Sequence, residues 1–169
     1  MAIATDGSAA GAHVTLGDID MSKTAAPPLR RTTARFVVPN SNLAPKIMRD
    51  LVGALLVATG HPALVEDARV CVSEVITNVH LHTRTTLVYL DVTLHPERVQ
   101  FAAWDDDSWG PRFVPTWLNF HSDEERGRGL LLVQELSADW GVTWPLDGEQ
   151  GHKRVWFALD DPSHGEFAA

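Results

Sequence analysis

Cysteine is almost absent: Cys71 is the one such residue among 169. It has nothing to pair with inside the chain and cannot build a cysteine-rich zinc site. Such usage fits a reducing compartment, and a cytoplasmic location is the expectation. Long apolar runs are also lacking. The longest, Leu51 to Thr59, falls well short of the roughly 20 residues that a membrane span needs. Asp6 and Asp18 occupy the region where a secretory signal would carry a basic start and an apolar core, so secretion is not expected. Positive charge is scarce as well. Fourteen Lys and Arg stand against 22 Asp and Glu, a formal net charge of -8, and no basic cluster forms the footprint of a direct nucleic-acid binder. What is present suffices for one packed domain, with 44% hydrophobic and 21% charged residues.

Residues 1–31 are rich in Ala, Gly, Ser, Thr and Asp, end in Pro27-Pro28 and lack apolar periodicity, so they read as a flexible N-terminal tail. The ordered domain is expected over 32–160, with a short C-terminal tail over 161–169. ARFVV, closed by Pro39, suits an edge strand. Asn42 is a plausible N-cap for a helix with Pro45 in its first turn, Ile47, Leu51, Ala54, Leu55 and Ala58 as its apolar stripe, and Gly60 just past its end. A second helix is expected from about Pro62 to His82, its stripe formed by Leu64, Val65, Ala68, Val72, Val75, Ile76 and Val79. Cys71, near that stripe, reads as a small buried hydrophobe.

Thr85–Leu94 and Arg98–Trp104 read as an antiparallel hairpin across His95-Pro96-Glu97. Asp105 to Arg128 breaks every pattern, and a loop this long is usually functional or mobile. After Gly127-Arg128-Gly129 the segment LLLVQELSADW returns to helical spacing, and two more strands follow, Trp140–Trp144 and Lys153–Leu159, joined by a turn-rich PLDGEQG. Trp104, Trp140, Trp144 and Trp156, all on strands, are expected in the core. Trp109, Phe113, Trp117 and Phe120 in the loop suit either local packing or a docking patch. Strands clustered on one layer with helices on one face make an α+β two-layer sandwich with a mixed, mostly antiparallel sheet.

Three segments carry candidate chemistry. In SEVITNVHLHT, Glu74, Asn78 and His82 recur every four residues and so run along one side of the second helix, bordering its apolar stripe. A carboxylate and an amide carbonyl one turn apart are hard oxygen donors. They suit Mg²⁺, or a carboxylate orienting an attacking hydroxyl, and they are equally ordinary on the edge of an amphipathic helix. Asp105 follows a strand directly, where it can accept a hydrogen bond from an amine such as that of a purine; a solvated acidic turn accounts for the segment too, and is the preferred reading for Asp106 and Asp107. Gly127-Arg128-Gly129-Leu130 opens the third helix, where backbone N–H groups and the helix dipole favour phosphate; a loop-to-helix hinge accounts for it too. His80 and His82 lie about 200° apart around the helix, which argues against a shared metal.

Taken in order, Glu-x₃-Asn-x₃-His on a helix, Asp after the second following strand, and a long loop closing in Gly-x-Gly-Leu resemble the GHKL (histidine-kinase-like, Bergerat-type) ATP-binding fold. The likeness runs from about Arg35 to Leu159. SEVITNVHLHT, GRGLLLV and VWF are similar to the small stand-alone anti-sigma-factor serine/threonine kinases. The resemblance implies ATP and Mg²⁺ as cofactors. Glu74 corresponds to the carboxylate that orients or deprotonates the phosphoryl acceptor, Asn78 to the Mg²⁺ ligand, and His82 to a position near the phosphates. Asp105 corresponds to the adenine-reading aspartate, and Gly127 and Gly129 to the second glycine box. Arg126, Arg128 and the amides through Leu130 are candidate phosphate partners. It also implies regulation of transcription through a sigma factor and phosphorylation of an antagonist protein, with a possible homodimer. Two departures stand out. Asp107 and Trp109 replace glycines of the first glycine box, which favours a non-catalytic, nucleotide-dependent interaction module as the alternative. Arg154 stands where a Thr often precedes Val-Trp-Phe, as a phosphate cation or a solvated strand residue.

Overall fold

The computed structural model describes residues 31–105, 128–143 and 153–163, and the backbone of 13–16; Asp105 and Arg128 are described by backbone alone. The expectations for Arg126, Gly127, Trp109, Phe113, Trp117, Phe120, Trp144 and the C-terminal residues from 164 onward lie outside the described residues.

The elements are β1 (His13–Leu16), β2 (Thr32–Pro39), α1 (Ala44–Ala58), α2 (Val65–His82), β3 (Leu87–His95), β4 (Arg98–Asp105), α3 (Arg128–Leu136), β5 (Asp139–Thr143) and β6 (Arg154–Asp160). The sheet runs β1-β2-β3-β4-β6-β5, and every pairing among the described strands is antiparallel. This is the α+β, two-layer arrangement expected from the sequence. One correction concerns the N-terminus. His13–Leu16, within the stretch expected to be a tail, pairs with Leu16 against Ala34 and His13 against Val37. β2 therefore has a neighbour on both sides and is not the sheet's edge.

Alternation along the strands sorts the side chains. Ala34, Phe36 and Val38 of β2, Val88, Leu90 and Val92 of β3, Val99, Phe101 and Ala103 of β4, and Val155, Phe157 and Leu159 of β6 all point to the helices and are buried. Phe101 and Phe157, opposite each other on neighbouring strands, stack with centroids 4.7 Å apart. Each such ring withdrawn from water contributes about 1.5–3 kcal/mol before entropy is charged.

On α1 the buried residues are Ala44, Met48, Val52, Gly53 and Leu56. The expected stripe is displaced: Ile47 is exposed, and Leu51 and Leu55 are only partly buried. Apolar side chains occur on several sides of this helix, so spacing alone does not single out the covered one. Nor is Asn42 the cap. Leu43 takes that position without a side-chain bond. The amide of Ala44 is met instead by the Ser41 carbonyl at 3.0 Å. The other end is as expected. Gly60 adopts φ +85°, a left-handed conformation open to glycine. The amides of Gly60 and His61 then return to Val57 and Leu56 to close the helix.

A 3₁₀ turn, Pro62–Leu64, leads into α2, whose buried Ala68, Cys71, Val72, Val75, Ile76 and Val79 match the expected stripe. Burial pushes the Cys71 thiol up to about 12, so it packs and does not react. Where α1 turns into α2, buried His61 donates from Nδ1 to Asp161 Oδ2 at 2.8 Å, and the Ser163 amide bonds Asp161 Oδ1. This joint ties the helical layer to the end of β6. No helix among the described residues is long and apolar enough to cross a membrane.

The tryptophans require a second correction. Trp140 packs partly buried against the core. Trp104 and Trp156 instead share the parity of the opposite sheet face and are only half-buried. There Trp104 stacks on Tyr89 at 3.9 Å and bonds Asp91 through Nε1 at 3.3 Å, beneath the Arg35 guanidinium.

Candidate functional site

α2 carries the candidate side chains because its two edges differ. One side is committed to the core, and the row Glu74, Asn78, His82 follows the border of that side at four-residue steps. Glu74 and Asn78 are half-buried and His82 is exposed, so the row climbs from the interior to the surface.

Glu74 faces the first turn of α3. A Cβ added at Gly129 would collide with the Glu74 carboxylate, whose Cδ would lie at 3.3 Å. A side chain here would oblige the flexible end of Glu74 to move aside, so glycine lets the acid keep this place. Gly129 and the helix carboxylate are thus brought together. Leu130, next along, is buried in the core. Arg126 and Gly127 lie outside the described residues.

Asn78 and His82 line a small, open cleft together with Val75, Val79 and Thr83 from α2 and its end, and with Lys153 and Val155 at the start of β6. The α2 end of this cleft is firmly held. Asn40 Nδ2 donates to the Thr85 carbonyl at 3.0 Å, which turns its Oδ1 toward His80 at 2.8 Å. Only a protonated His80 Nδ1 can satisfy that oxygen, so His80 donates and ties the last turn of α2 to the end of β2. His80 is thereby a structural neighbour of the row and not part of it. Thr83 closes the helix by donating from its hydroxyl to the Val79 carbonyl at 2.8 Å.

Asp105 ends β4, paired through its backbone with Val88. The sequence offered Arg154 as a possible phosphate cation, and that alternative is not realised. Arg154 sits opposite Trp104, exposed on the sheet face away from the helices. The cation at the cleft is its neighbour Lys153, which the sequence reading passed over. Strand alternation was the available signal: Val155 faces inward, so Lys153 shares its side and Arg154 cannot.

The donor set suits magnesium in one specific respect. Among the described residues, no three His, Cys, Asp or Glu side chains gather as a metal cage. Mg²⁺ needs none, because it is usually held by one or two protein oxygens with waters and substrate phosphates. The Asn78 side chain in the cleft, with Glu74 one turn before it on the same helix, fits that pattern.

A family model described as a histidine kinase-like ATPase domain matches residues 39–156. The matched span takes in the α2 row, Asp105, the Gly127–Leu130 segment and Lys153. Comparison with curated proteins gives no match.

Proposed function

We propose, since the chain belongs to the histidine kinase-like ATPase family, that it binds Mg-ATP in the cleft between α2 and β6 and transfers the γ-phosphoryl group to a Ser or Thr of a partner protein. The observation that carries this reading is the meeting of Glu74 with Gly129 on one side of α2's ridge, while Asn78 and His82 of the same ridge line the cleft.

Phosphoryl transfer asks little covalent help of a protein and much positioning and charge neutralisation. Asn78 would hold the Mg²⁺, which supplies neutralisation of the phosphate oxygens when bound. Asp105 accepts a hydrogen bond from the adenine amine. The amides from Gly127 to Leu130, at the positive end of the nine-residue α3, meet the phosphates with Arg126 and Arg128, and His82 stands near them. Glu74 accepts the proton of, or orients, the acceptor hydroxyl. The partners in this reading are a sigma factor, held by the domain, and an antagonist protein that receives the phosphate. Asp107 and Trp109, in place of loop glycines, favour the second reading, in which nucleotide occupancy governs partner binding without turnover.

Thermal unfolding with Mg-ATP tests the shared part of both readings. A ligand at about 100 times its Kd stabilises the folded state by about 2.7 kcal/mol, so Tm rises. An unchanged Tm at millimolar nucleotide rejects both. With binding established, γ-labelled ATP and candidate antagonist proteins separate kinase from module. Glu74→Ala is expected to retain binding and lose transfer.

A further inference from the structure

His80 lies two residues from Asn78 and two from His82. It therefore stands about 200° around α2 from each of them, on the far side of the same turn. Its Nδ1 donates to Asn40 Oδ1 at 2.8 Å. Asn40 is itself held twice by the chain entering β3. Its backbone amide bonds the Thr86 carbonyl at 2.9 Å, and its Nδ2 bonds the carbonyl of buried Thr85 at 3.0 Å. The acceptor that His80 meets is thus fixed by the sheet and not by the helix.

A helix end holds its side chains loosely, since its last four carbonyls have no partner within it. At the end of α2 the Val79 carbonyl takes the amide and the hydroxyl of Thr83. Those bonds lie inside the turn and do not refer it to the sheet. Burial of the Val79 side chain adds cohesion without direction. A rotation of about 20° at a radius of about 5 Å moves a side-chain tip by about 2 Å. A site must hold its groups within about 0.5 Å. Any rotation that swings Asn78 out of the cleft also parts His80 from Asn40 on the other side of the turn.

We infer that Asn40 and His80 are positioning residues: their hydrogen bond sets the rotation of the last turn of α2 and so presents Asn78 to the magnesium of the bound nucleotide. Neither lines the cleft, and both act through the helix. This rests on the nucleotide reading above and adds to it what holds the metal ligand in place.

The full chain is compared with His80→Ala, Asn40→Ala and His80→Asn, the last of which sets an amide nitrogen near the place of the ring Nδ1. Calorimetry measures ATP affinity with Mg²⁺ and with EDTA, and hydrogen exchange follows the backbone amides of the ligand-free protein. In both alanine variants the affinity that Mg²⁺ adds should fall about tenfold, the low end of what disturbing a ligand's support costs. Affinity in EDTA should stay within about twofold of wild type. The amides of residues 79–83 should exchange about tenfold faster, with the middle of α2 unchanged. His80→Asn should restore most of both. A loss that is equal with and without Mg²⁺ overturns the inference, as does unchanged exchange at 79–83. Should Asn40→Ala fail to fold, the two His80 variants decide by the same criteria. A wild type that binds ATP but gains nothing from Mg²⁺ rejects this inference alone. One that binds no ATP rejects the nucleotide reading and this inference with it.

Discussion

On the face of the sheet that the helices cover, β2, β3, β4 and β6 present Phe36, Leu90, Phe101 and Phe157; on the opposite face the same strands present Arg35, Asp91, Trp104 and Trp156. The first face is held by removal of apolar area from water. The second is held by specific pairs: Arg35 bonds Asp91 through Nε at 2.6 Å and Nη2 at 3.0 Å, over a Tyr89–Trp104 stack. The two kinds of interaction differ in how much they contribute. Burial adds up with every atom covered, whereas an ion pair open to solvent is screened and spends side-chain entropy. The cleft belongs to the first face, so its frame inherits the stronger cohesion.

Four experiments set one face against the other. Phe101→Ala should cost the most, about 3–5 kcal/mol, because the ring is fully buried and its stacked partner Phe157 would border a cavity. A fall in the urea midpoint at constant m-value measures it. Asp161→Ala, at the joint between the layers, should cost about 3 kcal/mol by removing the buried carboxylate that His61 and the Ser163 amide both bond.

This second variant also carries a pH signature. Burial raises the Asp161 pKa, but the hydrogen bonds from Ser163 and His61 outweigh it and hold the carboxyl below its ordinary 3.8. A depressed folded pKa means the contribution is complete above 3.8 and is lost as pH falls through the lowered value. The stability gap between wild type and Asp161→Ala should therefore narrow in that acid window, and a gap that stays constant there rejects the assignment.

On the open face, Arg35→Ala should cost only about 1 kcal/mol, combining a solvent-exposed ion pair with a cation–π contact, and the cost should shrink in high salt. The smallest effect belongs to Cys71. With its thiol pushed up to about 12 and its side chain fully buried, alkylation at neutral pH should be undetectable in the native protein and should appear with global unfolding.

The sequence conveyed what depends on period and missed what depends on phase. The stripe of α2, the hairpin and the stop at Gly60 all followed from spacing and from one glycine's conformational freedom. The covered side of α1 did not, because a helix apolar on several sides fits more than one orientation. Strand phase has the same character, since a shift of one residue exchanges the two faces. That is why Trp104 and Trp156 were expected in the core, and why Arg154 was weighed for the site although Lys153 is the cation that lines the cleft. β1 escaped notice because His13–Leu16 is too short, amid small polar residues, to show any period. Of the candidate site, the α2 row was legible because its steps match the helical turn. The approach of Gly129 to Glu74 is a tertiary contact between positions 55 residues apart, and no local pattern encodes it.

That contact also restricts how this protein can diverge. A side chain at position 129 would displace the Glu74 carboxylate from where it now lies, so a change of the glycine is felt first as a change in where the acid points. In a descendant that exchanged Glu74 for a shorter side chain, alanine or serine at 129 would meet no carboxylate to displace.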